Sequence, residues 1–333
     1  MRLKCLALVM LSSISLCGCK NMKKTSEAKV SENKPVIQEN TVSLLEDTSF
    51  ESGFNLLTTS TENGRALSGV LDYDGEAKGD KPNWQMAQWW THNDFINSAF
   101  TKLGDGRYKY ENDSRSVVVN QKEKRLTMNL DSSVEYAARY GRTRKSDENW
   151  SHFLIEQSFK SPQKLAELKH LFVSIDFSID KSIDKDIGQE VPCSQVTWYF
   201  TITDIKNGDP TYESGGNDFF WFGLPLYDSR FDFVSSYKNV DSGFVGATNK
   251  LIYSLDSNNY IKEKIRIGKI YHVELDILPY IKEAYAYGIA NGAMSNTYYD
   301  QLYINYMNLG WELPGAFDVG LTIQNLKVFG EKK

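Results

Sequence analysis

Val173-Ser174-Ile175-Asp176-Phe177-Ser178-Ile179-Asp180 alternates apolar and polar side chains without a break. Successive side chains of an extended strand point to opposite faces, so this run has one face for a core and one for solvent. That is the pattern of an antiparallel strand covered on one side. The same period recurs on both flanks. Upstream, Phe153, Ile155 and Phe159 alternate with His152, Leu154, Glu156 and Ser158. Downstream, Val196, Trp198, Phe200 and Ile202 alternate with Thr197, Tyr199, Thr201 and Thr203; Tyr271, Val273, Leu275 and Ile277 alternate with His272, Glu274 and Asp276. Ser116–Asn120, Arg125–Asn129, Phe219–Leu224, Lys250–Ser254 and Leu321–Phe329 add strand candidates rich in β-branched and aromatic residues.

Helices are expected to be few and short. Ser161-Pro162 reads as N-cap and first position of a helix ending near His170. Asn93 or Asp94 reads as the cap of one ending near Gly104. Pro279 opens one through Ile281, Ala284, Tyr285 and Ile289, with Gly292 as its stop. Met307–Gly315 reads as a turn between the last strands, with Trp311 as a core anchor. No internal repeat is visible. The expectation is an all-β protein: a two-sheet antiparallel sandwich of jelly-roll (concanavalin-like) type with a few short helices.

The N-terminus differs from all of this. Arg2 and Lys4 precede an apolar run from Cys5 to Leu16, which has the length of a secretory leader and is too short to span a bilayer. The run ends in Leu16-Cys17-Gly18-Cys19. This string resembles the lipobox of bacterial lipoproteins: an aliphatic residue, two small residues, then cysteine. The resemblance implies cleavage before Cys19, its diacylation (palmitate-type chains) and membrane anchoring at the extracytoplasmic face of the cell envelope. Residues 20–40 carry no aromatic side chain and mix Lys with Glu, a composition that cannot offset its ordering entropy. The expected organisation is a signal peptide at 1–18, a lipidated cysteine and flexible tether at 19–44, and one β-sandwich domain at 45–333.

Composition narrows the partners. The formal charge is −5, or −7 once Arg2 and Lys4 are removed, which does not fit non-specific nucleic-acid binding. After processing, Cys193 is the one remaining thiol, so no internal disulfide is expected. No phosphate-binding glycine loop, zinc-binding cysteine pair, His-Glu-x-x-His or Gly-x-Ser-x-Gly elbow occurs, and His92, His152, His170 and His272 share no ligand spacing. No cofactor is expected; structural calcium is left open.

Two polar stretches carry chemistry-bearing residues. Glu274-Leu275-Asp276-Ile277-Leu278-Pro279 resembles the Glu-x-Asp-x-x-Glu strand of laminarinase-type jelly-roll glycosidases, except that Pro279 stands where that reaction needs its acid/base glutamate. Tyr136–Glu156 holds Arg139, Tyr140, Arg142, Arg144, His152 and Glu156, the residue types of a polysaccharide lyase, without the alginate-lyase strings. The catalytic candidates are therefore Glu156, Asp176, Glu274 and Asp276 as carboxylates, with His152 and Tyr140 as proton carriers.

The aromatic surplus is the stronger signal. Trp84, then Trp89-Trp90-Thr91-His92, and Trp221 leading into Asp228 and Arg230 combine flat rings with hydrogen-bonding groups. Rings pack on the C–H faces of sugars while amides and charged groups take the hydroxyls. The expected binding set is Trp84, Trp89, Trp90, His92, Trp221, Asp228 and Arg230. The expected function is carbohydrate recognition, with a glycoside hydrolase or polysaccharide lyase on the same scaffold as the alternative and a protein-binding adhesion lipoprotein as a third.

Overall fold

Period-two alternation only becomes a fold when strands find partners, and here the pairings build two sheets. The computed structural model describes residues 40–60, 64–205, 218–242, 247–295 and 297–333. In chain order the strands are β1 (Thr41–Ser43), β2 (Phe54–Ser60), β3 (Gly64–Leu71), β4 (Trp84–Gln88), β5 (Ala99–Gly104), β6 (Arg107–Glu111), β7 (Arg115–Asn120), β8 (Arg125–Asp131), β9 (Ser151–Lys164), β10 (Leu168–Asp184), β11 (Gln195–Asp204), β12 (Phe219–Asp228), β13 (Tyr237–Val240), β14 (Leu251–Ser254), β15 (Ile270–Asp276), β16 (Leu302–Leu313) and β17 (Phe317–Lys332). Helix α1 (Ser132–Tyr140) lies between β8 and β9, and α2 (Leu278–Ala290) follows β15.

The first sheet has the order β15-β10-β17-β8-β7-β6-β5, with β1 added to β17. The second has the order β13-β14-β12-β11-β16-β9-β4-β2-β3. Pairing is antiparallel except between β12 and β14 and between β2 and β4. The apolar sides meet in one core. Val173, Ile175, Phe177 and Ile179 come from β10, Val196, Trp198, Phe200 and Ile202 from β11, and Leu309, Trp311 and Leu313 from β16. This is the two-sheet jelly-roll sandwich that the alternation implies.

Several local expectations give way. Residues 161–164 continue β9 instead of starting a helix, and only a 3-10 turn, Leu165–Glu167, separates β9 from β10. Pro162 is tolerated there because the register against β16 shifts between Ile304 and Tyr306, where a strand bulges and a missing N–H costs nothing. Asp94 does cap a helix, but a 3-10 turn of three residues, Phe95–Asn97, after which β5 begins. Most of Met307–Gly315 is strand β16, and the turn comes only after Leu313. Trp311 is fully buried. Helix α1 has no counterpart among the expectations; Asp131 caps its start and Gly141, at φ 69°, its end.

The expected Pro279 helix forms as α2, with the proline in its first turn. Residues 41–44, assigned to the tether, are part of the fold: β1 pairs with β17, and Leu44 is buried in the core. The leader, the lipobox and Cys19 lie outside the described residues.

Candidate ligand-binding cleft

The face of the nine-stranded sheet turned away from the core carries the alternate residues of each strand. Its rows follow from the register. His152 on β9 stands opposite Glu312 on β16, Glu312 opposite Gln195 on β11, and Gln195 opposite Asp228 on β12. Two rows along, Glu156, Asn308, Tyr199 and Gly223 are aligned in the same way, and beyond them Tyr306, Thr201 and Trp221. These rows floor a cleft of about 820 Å³. Trp89, Trp90, Asn149, Trp150 and Pro314 line it on one side; Trp221, Tyr227, Arg230, Phe231, Tyr237 and Ile252 line it on the other. Gly223 makes room for one of these rings: a Cβ there would come within 2.6 Å of Cε1 of Tyr199.

Several polar groups on the floor are held by their neighbours. Gln195 donates from Nε2 to Glu312 at 2.8 Å. Arg230 donates to both oxygens of Asp228, at 3.0 and 2.7 Å, and its backbone N–H donates to the same carboxylate at 2.9 Å. Glu156 is buried and accepts from Arg65, Tyr306 and Trp89. Burial pushes its carboxyl above the ordinary range, against the pull of Arg65. Burial likewise pushes the His152 imidazole down, although the facing Glu312 carboxylate draws it up. The neighbouring Cys193 thiol is pushed up to about 12 by burial and by Asp228, so it stays protonated and unreactive.

The loop carrying Trp89 and Trp90 is fixed from below. Glu135 of α1 accepts from the backbone N–H groups of His92 and Asn93 at 2.6 and 3.1 Å, and pairs with fully buried Arg115 at 2.6 Å. Burial pushes the Glu135 carboxyl up, but Arg115, Ser114 and the two amides outweigh it and hold it below the usual range. Trp90 adopts a left-handed backbone, φ 59°, which a bulky residue takes only when its surroundings impose it. Arg139 donates to its carbonyl at 3.1 Å and lies 5.6 Å from its ring.

Of the sequence-derived candidates, the cleft collects His152, Glu156, Trp89, Trp90, Trp221, Asp228 and Arg230. The others lie elsewhere. Trp84 is a core residue whose indole donates to the Asp47 carbonyl at 2.8 Å, because β4 turns its even-numbered positions inward. His92 is exposed and does not line the cleft. Tyr140, at the end of α1, donates to the Asn149 carbonyl at 3.2 Å and stays outside the lining.

Asp176, Glu274 and Asp276 sit on β10 and β15, in the opposite sheet. Asp176 accepts from Asn325 at 2.7 Å and contacts His272 at 2.6 Å. Asp276 receives the backbone N–H groups of Leu171 and Leu278 and anchors the start of α2. Glu274 is an exposed strand residue. These three carboxylates therefore form no pair with Glu156.

Sequence reasoning missed Arg65, Trp150, Gln195, Tyr199, Tyr306, Asn308 and Glu312. The alternation of β11 marked the outward side of Gln195 and Tyr199 but not what that side faces, and the reading of Met307–Gly315 as a turn hid Asn308 and Glu312. Among the described residues no group of three or more His, Cys, Asp or Glu is placed to hold a metal ion.

Fold and site together define a jelly-roll β-sandwich protein with an aromatic-lined cleft across one sheet. No family model matches the chain, and no curated protein matches it. Solved structures similar to it include a thermostable cellulase derived from Cel12A of Rhodothermus marinus, at 13% identity and TM-score 0.39, over 69% of this chain and 97% of that one. Others are a family 12 xyloglucanase from Bacillus licheniformis, at 11% identity and TM-score 0.40, over 70% and 99%, and the family 11 xylanase of Neocallimastix patriciarum, at 9% identity and TM-score 0.35, over 74% and 99%. At such scores nothing about this chain's activity follows from them.

Proposed function

We propose that this chain is a lipid-anchored, extracytoplasmic protein that recognises a carbohydrate in the cleft. One observation carries the reading: Trp90, Trp150, Tyr199, Trp221 and Tyr306 line one cleft whose floor presents His152, Gln195, Asn308 and Glu312 between them. Rings supply flat apolar contact for sugar C–H faces, and the interleaved amides and carboxylates suit hydroxyl groups.

The partners of the carboxylates favour recognition over hydrolysis. The Glu156 carboxyl is buried and already engaged by Arg65, Tyr306 and Trp89, four strand positions along from Glu312. Hydrolysis by two carboxyls needs both to reach one glycosidic bond. The positions directly facing Glu312 hold an amide, Gln195, and an imidazole, His152. Asp228 is engaged by Arg230.

The test is a polysaccharide array with the full chain, alongside an assay for released reducing sugar and for unsaturated uronate absorbance. Binding without product formation is expected. Product formation would replace recognition with catalysis, and a blank across a broad array would sink both. The anchor is tested separately: incorporation of labelled palmitate should disappear in Cys19→Ala.

A further inference from the structure

The cleft has two unlike ends. Toward β13 its lining residues Phe231, Tyr237 and Val240 are 53%, 50% and 46% exposed. Toward β4, β2 and β3 the chain fills the same face of the sheet with its own side chains. Leu57, Ala87 and Leu154 form one row across β2, β4 and β9, buried as a small cluster on which Trp89 packs. Leu154 belongs to the lining of the cleft, whereas its row neighbours Ala87 and Leu57 do not. The floor therefore stops between β9 and β4.

What stands at that limit is a fixed wall. The Arg65 guanidinium lies 5.4 Å from the Trp89 ring and 5.7 Å from the Tyr306 ring. It donates to Gln85 at 2.9 Å and pairs with buried Glu156. Moving Arg65 aside would leave the Glu156 carboxylate buried and uncompensated, so the wall resists opening. In front of it, opposite Glu156, the side-chain oxygen of Asn308 is buried without a hydrogen-bond partner. A hydroxyl donor seated against the wall would supply one.

We infer that the cleft takes the terminal sugars of a glycan chain, ending at the Arg65–Glu156 wall, and not an interior stretch of polymer. The inference rests on the carbohydrate reading of the cleft. A ring seated against the wall is the last of its chain, because the next residue would occupy the space of Arg65 and Trp89. The remainder of the chain leaves toward β13.

Titration calorimetry of the full chain tests this with cellohexaose, xylohexaose, mannohexaose and chitohexaose, each beside its parent polymer. For whichever series binds, the expected stoichiometry is one protein per polymer chain, with the affinity of the hexamer. Blocking one chosen end of the hexamer, by reduction to the alditol or by acetal protection of the non-reducing sugar, should weaken binding at least tenfold, and blocking the other end less than twofold. In the double variant Arg65→Leu, Glu156→Gln, which removes both charges together, that discrimination should shrink. Many proteins per polymer chain, or indifference to both blocked ends, overturns the chain-end inference and leaves carbohydrate recognition standing. No binding in any series overturns both.

Discussion

The Gln195 amide donates to the Glu312 carboxylate at 2.8 Å from the strand position directly opposite it. The bond joins residues 117 positions apart in the chain and sits in the floor of the cleft. An amide there satisfies the carboxylate without adding a second negative charge.

Gln195→Glu tests that relationship. Two carboxyls would then face each other across one strand spacing, about 5 Å, and would share a proton to higher pH than either alone. A folded-state pKa raised above the unfolded value destabilises the fold once pH exceeds the ordinary carboxylate range, and the effect vanishes below it. The variant should lose about 1 to 2 kcal/mol near neutral pH. Urea denaturation at about pH 7 and about pH 3.5 checks this; an equal loss at both would rule out repulsion as the cause.

Core and cleft tryptophans should separate cleanly. Trp84→Ala removes a fully buried ring and is expected to cost about 3 to 5 kcal/mol of stability. Trp221→Ala, in the half-buried cleft wall, should lower glycan affinity about tenfold or more with little change in Tm. Paired melting curves and binding isotherms distinguish the two, and a Trp221→Ala protein that binds normally would remove that ring from the site.

Glu135 holds the Trp89–Trp90 loop through the amides of His92 and Asn93, so its loss should be felt in the cleft. Glu135→Gln leaves Arg115 buried with its charge uncompensated and is expected to destabilise by about 3 kcal/mol. Replacing both partners with apolar residues should recover much of that stability but not the loop geometry, so binding should remain weak. Equilibrium denaturation of the single and double variants reads the first effect and calorimetry the second.

Burial holds the His152 imidazole below its ordinary range. On acidification through that range the unfolded chain takes up a proton that the folded chain refuses, so stability falls as pH drops. His152→Asn removes this contribution. The Tm difference between about pH 7.5 and about pH 5.5 should be smaller in the variant than in the parent; identical differences would mean that the imidazole titrates freely.

Much of the fold was readable because its signal is local. A strand needs only its own neighbours to alternate, and the pleat then assigns each side chain to a face. β10, β11 and β15 were legible in this way, as was α2 from its proline. Signals that depend on context misled. Ser161-Pro162 looks like a helix start in isolation, yet the long pairing of β9 with β16 absorbs the proline in a bulge. Helix α1 was missed because the charged residues of 136–156 obscured the Asp131 cap and the Gly141 stop.

By itself the sequence determined that there are two-faced strands and enough aromatic side chains for a core and more. Only the tertiary structure decided which outward faces lie together. Glu156 meets Arg65 from 91 positions away, while the equally plausible Asp176, Glu274 and Asp276 fall on the opposite sheet. The physical reason is that alternation specifies inside against outside for each strand alone. Sheet membership and register are set by long-range pairing, where a one-residue slip would turn every side chain to the other face.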